Sequence, residues 1–152
     1  MNRLGKFKST FHELGHHIDA LESLTDRSKY FEQALYNDFH SLEKIIQDRY
    51  NVNQEEAYKL ISSHLARNSY LHSISDIVGG ITDNACVEPW GHFEEGYWTW
   101  DRLKKKAFAH FFEATARNDV QKLQYIKDFF PTAYNEFMKL LGGDKTWYPI
   151  LY

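Results

Sequence analysis

The chain has 152 residues, 43% apolar and 16% aromatic, and 18 Lys and Arg against 21 Asp and Glu leave a net charge of −3. That length and apolar content suit one domain, residues 1–152, with one packed core, and argue against intrinsic disorder. The near balance of charge offers no field for nucleic acid or an anionic membrane, no apolar run approaches the roughly 20 residues that span a bilayer, and the start lacks the apolar stretch of a secretory signal.

A non-secreted chain made in a reducing cytoplasm is therefore expected. The single cysteine, Cys86, excludes an internal disulfide and reads as a small buried or half-buried residue. Only 8 Gly and 3 Pro interrupt the chain, and long stretches of 3.6-residue periodicity predict a mainly α-helical fold with little or no sheet.

A first helix is expected from about Ser9 to Leu24, capped by Ser9 or Thr10. A second runs from Lys29 to Tyr50, with Phe31, Ala34, Leu35, Phe39, Leu42, Ile45 and Ile46 on its inner face. Asn51-Val52-Asn53 breaks the pattern. A third helix spans Gln54 to about Ala66, with Ala57, Leu60, Ile61 and Leu65 inward. Ser73 to Ile81 reads as a short helical or turn segment ending at Gly79-Gly80, and Thr82 to Thr99 as an irregular stretch rich in Trp, His, Glu and Tyr. Loops of that length in compact domains often carry function. Helix resumes over Trp100–Arg117, Val120–Phe129 and Thr132–Leu141, and Trp147–Tyr152 forms an apolar strand or arm.

Chemistry concentrates in Phe11-His12-Glu13-Leu14-Gly15-His16-His17-Ile18-Asp19. His12 and His16 stand at i and i+4, so on a helix both imidazoles leave one face at a separation that suits a shared tetrahedral Zn²⁺. Glu13, one position round, is placed to take a proton from metal-bound water and pass it to a leaving amine. Gly15 lets another backbone approach closely. Asp19 falls a turn after His16, where a carboxylate can orient a ligating imidazole. His17 points elsewhere. The same pattern also suits two surface histidines on an amphipathic helix, in a chain that carries eight His. A catalytic zinc site needs a third protein ligand. Lys106, His110 and Glu113, at i, i+4 and i+7, share one face of a later helix that Phe108, Phe111 and Phe112 would anchor in the core. Glu113 or His110 is the expected third ligand.

His12 to Asp19, followed by Ala107-Phe108-Ala109-His110-Phe111-Phe112-Glu113-Ala114, resembles the zinc metallopeptidase domain of bacteriophage minor head (head morphogenesis) proteins. That domain is similar to the catalytic domain of anthrax lethal factor. Ser73 to Gly80, Pro89-Trp90-Gly91-His92 and Phe130-Pro131-Thr132-Ala133-Tyr134 resemble further segments, so the likeness covers about residues 8 to 141. It implies a zincin-like (gluzincin-like) fold in which His12 and His16 bind zinc and Glu13 is the general base. The family's third ligand is a Glu at the position of Lys106, and a charged lysine cannot ligate zinc. His110 matches a family position one turn on that lies behind the ligands and supports them, and Glu113 a further acidic position. The resemblance also implies a tyrosine that stabilises the oxyanion, for which Tyr97 is the nearest candidate; an aromatic packed on its loop is the plainer role.

Such peptidases place a small sheet before the metal-binding helix, and the 11 residues preceding His12 are too few for it. Three functions follow as expectations. The first is a phage or prophage zinc metallopeptidase, cytoplasmic or virion-associated, that hydrolyses a protein substrate such as a head component. The second is a catalytically degenerate peptidase fold serving head assembly or another protein interaction, favoured by Lys106 and the missing sheet. The third is a toxin-like effector peptidase.

Overall fold

The computed structural model describes residues 3–86 and 94–142. Its elements, in chain order, are α1 (Arg3–Glu22), α2 (Leu24–Arg27), α3 (Lys29–Tyr50), α4 (Gln54–Leu65), a 3₁₀ turn (Ser69–Leu71), α5 (His72–Ile81), α6 (Trp100–Ala116), α7 (Val120–Phe129) and α8 (Pro131–Leu140). The described residues contain no strand, in keeping with the mainly α expectation. None of their helices is long and apolar enough to cross a membrane. The expected arm at 147–152, the segment Pro89–His92 and much of the irregular stretch lie outside the described residues.

Local chemistry accounts for most helix ends. Asn51 closes α3 in the left-handed conformation at φ 52°, with its N–H and that of Val52 both donating to Gln47 O. Asn53 then opens α4 with a capping box: its side chain accepts from Glu56 N, and the Glu56 carboxylate accepts from Asn53 N. Thr99 caps α6 through Arg102 N, and Asp119 caps α7 through Lys122 N.

Three expectations about elements need correction. The first helix starts at Arg3 rather than at a Ser9 or Thr10 cap, because Arg3, Leu4 and Lys6 are good helix formers and the single Gly5 among them costs only about 1 kcal/mol. It ends at Glu22, where Ser23 turns the chain at φ 51° into α2. Pro131 does not separate two helices from outside but occupies the first turn of α8, where its missing N–H costs nothing.

The core is aromatic. Phe31 of α3 meets Phe108 and Phe111 of α6 edge to face at centroid distances of 6.5 and 5.7 Å, and Phe137 of α8 meets the same pair at 5.1 and 5.7 Å. All four rings are fully buried, as are Phe112 and Phe130. Cys86 is buried too, as expected. Ile45 and Leu60, expected to face inward, are 60% and 44% exposed. They keep the helical register and line an open cleft between α3, α4 and α7.

One buried carboxylate ties the helices together at long range. Phe130, at the N-terminus of α8, offers no side-chain cap; Asp38 of α3 supplies one instead, its Oδ2 accepting Ala133 N at 2.9 Å. A negative charge here also faces the positive end of the α8 dipole. Asp38→Ala should leave a buried N–H unpaired and cost about 1–3 kcal/mol, read as a lower urea midpoint; an unchanged midpoint would remove Asp38 as the anchor of α8.

Candidate metal centre

The centre forms where α1 crosses α6 with the two backbones almost touching. A Cβ built on Gly15 would stand 3.0 Å from Phe112 Cβ and 3.1 Å from Ala109 Cα. Gly15 thus plays the role expected from the sequence, allowing an approach that a side chain would hold open. Phe112 is locked in the core and Ala109 Cα is backbone, so neither can yield cheaply.

This approach brings two helix faces into one small space. His12 and His16 lie edge to face, with centroids 4.8 Å apart. The His110 ring lies 4.6 Å from that of His12, and Glu113 Oε2 is 3.7 Å from His12 Nδ1. One ligand atom each from His12, His110 and Glu113 fall within 4.8 Å of one another, and among the described residues this trio is the one His/Cys/Asp/Glu group so arranged. The expected set of His12, His16 and Glu113 is therefore brought together in part. His16 stays beside His12, while His110 occupies the place in the trio expected of it.

The charges are apportioned by oxygen. Glu113, 5% exposed, turns Oε1 to Arg117 and Lys122, each 3.4 Å away, and Oε2 to His12. Asp76 of α5 was not among the residues singled out in the sequence, yet its Oδ2 lies 2.8 Å from His110 Nε2 and 3.4 Å from Lys106 Nζ. The available signal was a lone carboxylate in the otherwise uncharged run from Ser73 to Ile81, since a buried charge needs a partner. Lys106 reaches across to α5, with its ammonium 5.6 Å from the Tyr97 ring and 5.8 Å from the Trp98 ring.

Other expected site residues take different positions. Glu13 is exposed on α1, and its charge acts on His16. Asp19 is buried, but both of its oxygens serve the corner between α1 and α2: Oδ1 accepts Thr25 N and Oδ2 accepts Thr25 Oγ1, each at 2.7 Å. Its observed partner is thus a turn rather than an imidazole. Tyr97 packs its ring under Arg102, 4.6 Å away, as well as beside Lys106.

Burial keeps the imidazoles neutral. It is the largest cause lowering His12 from the ordinary 6.5 to about 3, and the neighbouring His110, His16 and Lys106 lower it further. His16 and His110 are lowered as well, both chiefly by burial, with Glu13 opposing the shift at His16 and Asp76 opposing it at His110. Contact between His12 and Glu113 at neutral pH is therefore between a neutral ring and a carboxylate, at a distance too long for a hydrogen bond. Neutral imidazole and ionised carboxylate are the forms that bind a divalent cation. His110 Nδ1 is buried with no hydrogen-bond partner, and as an unprotonated nitrogen it would present a lone pair that a cation would satisfy. The donor set fits zinc by ligand type.

No family model matches the chain, and no curated protein or solved structure matches it.

Two measurements check this geometry. Gly15→Ala should lower stability by about 1–3 kcal/mol through overpacking, despite alanine's better helix propensity; a stabilised variant would mean that α1 and α6 are not held at contact. In chelated, metal-free protein, the unfolded chain takes up a proton at His12 near pH 6.5 while the folded chain refuses it until about pH 3. The stability this provides is complete above pH 6.5 and drains away as the pH falls towards 3, at up to about 1.4 kcal/mol per pH unit. Urea titrations between pH 7 and pH 4.5 should show a shallower loss in His12→Gln than in the wild type, and parallel curves would refute a buried neutral His12.

Proposed function

We propose that this chain is a metal-dependent peptidase of zincin-like type, using a divalent cation held by His12, His110 and Glu113 with His16 adjoining. The observation that carries the reading is the convergence of His12, with His16 beside it on α1, on His110 and Glu113 of α6. Support from the sequence comes from the resemblance to phage minor head metallopeptidases, which names the same two segments. The residues divide the work. His12 and His110 offer neutral nitrogen donors, and Glu113 offers Oε2 while Arg117 and Lys122 balance its other oxygen. Glu13, exposed beside His16, is the proton carrier: its carboxylate takes the proton of an attacking water and delivers it to the departing amine nitrogen. Tyr97 is the residue to which the resemblance gives the oxyanion. When bound, a zinc-type cation supplies a Lewis acid for the peptide carbonyl and lowers the pKa of water. The substrate class is protein, with a phage head component as the instance the resemblance suggests.

A second reading is favoured by one observation: Glu113 and Asp76 already face cations of the chain itself. In that reading the cluster is a metal-free polar bolt between helices, in a peptidase fold retained for head assembly or another protein contact.

Elemental analysis of protein purified without chelator or affinity-column metal separates the two. The peptidase reading expects one zinc per chain, lost in His12→Ala and in His110→Ala, and peptide hydrolysis that Glu13→Gln abolishes with zinc retained. Absence of zinc after soaking at neutral pH, or cleavage undiminished in Glu13→Gln, would overturn it.

A further inference from the structure

We infer that Asp76 is the positioning residue of this centre: it takes the Nε2–H of His110 and so leaves the buried Nδ1 as the nitrogen that carries the ring's lone pair. What Nδ1 then binds rests on the metal reading above; the proton's location does not.

Asp76 Oδ2 and His110 Nε2 are 2.8 Å apart. At neutral pH an aspartate is ionised and can only accept, and Lys106 Nζ stands 3.4 Å from the same oxygen. The proton in the short contact therefore belongs to Nε2. A neutral imidazole carries one N–H, so with Nε2 protonated, Nδ1 carries a lone pair. Nδ1 is buried and has no hydrogen-bond partner. A second proton there would be a buried donor without an acceptor, which is costly. Burial of the ring works in the same direction, against the doubly protonated form.

The placement of Asp76 suits this role. It stands on α5, a third helix that holds none of the trio, and it is 6% exposed. Its helix packs on α6, where Gly80 lies so close that a Cβ would meet Leu103 Cδ1 at 2.7 Å and Trp98 Cε3 at 2.9 Å. The carboxylate thus approaches His110 from an element whose position the core dictates. Carboxylates that receive the far N–H of a ligating histidine set its tautomer and raise its basicity. Lys106 completes the arrangement by balancing the Asp76 charge, its ammonium seated against the Tyr97 and Trp98 rings.

The test reads the tautomer directly, by two-bond proton–nitrogen correlation spectra of metal-free protein labelled with ¹⁵N-histidine. Wild-type His110 is expected as the Nε2–H form; an Nδ1–H form would overturn the inference without recourse to any variant. Cobalt(II) titration, followed by its visible absorption, gives a second readout: Asp76→Asn should weaken binding by about 10- to 100-fold. A wild type that shows the Nε2–H form but takes up no cobalt would sink the metal reading and leave the role of Asp76 in place. Cobalt bound with equal affinity by wild type and Asp76→Asn would sink that role and leave the metal reading standing.

Discussion

Everything at this centre depends on two helix backbones meeting at Gly15. Because no Cβ intervenes, α1 settles onto Ala109 and Phe112, and side chains from both helices must share the space at the crossing. The opposite side of α6 carries Phe108 and Phe111, packed into the rings of α3 and α8. Close packing leaves that helix little freedom to rotate. The aromatic core thereby aims His110 and Glu113 at α1, and their position follows from packing that has no chemical role of its own.

Buried charge at the site is balanced locally. Asp76 is matched by Lys106, and one oxygen of Glu113 by Arg117 and Lys122. The three imidazoles, pressed together and largely desolvated, stay neutral. Ring nitrogens in that state beside a carboxylate form a soft, electron-rich corner suited to a cation. Lys106 stands where the family resemblance would put a third ligand, and its side chain is drawn away to α5 and to two aromatic faces. There its charge supports a carboxylate, while it is still felt at His12 and His110, where it disfavours the protonated rings.

The helices were largely legible because their signals are local. The second helix spans Lys29 to Tyr50 as its periodicity predicts, and the Asn53–Glu56 capping box opens the next. Periodicity defines a face, however, and says nothing of how far along the helix a partner extends. Ile45 and Leu60 sit in register and are exposed because they line an open cleft between α3, α4 and α7 that no side chain of the described residues fills. Asp19 shows a similar limit: its spacing from His16 suits an orienting role, but a turn at Ser23 brings Thr25 back onto both of its oxygens.

The sequence by itself determined the mainly helical class, the pairing of His12 with His16 on one face, the small residue that permits a close crossing, and the shared face of Lys106, His110 and Glu113. Each of these is set by spacing along a single helix, which a 3.6-residue period encodes. Only the tertiary structure decided that His110 rather than His16 joins His12 and Glu113, that Asp76 reaches in from a third helix, and that Asp38 caps a helix 95 residues away. Those outcomes depend on how helices rotate and cross. That geometry is fixed by the fit of Gly15 and the buried phenylalanines, and no local pattern in the chain records it.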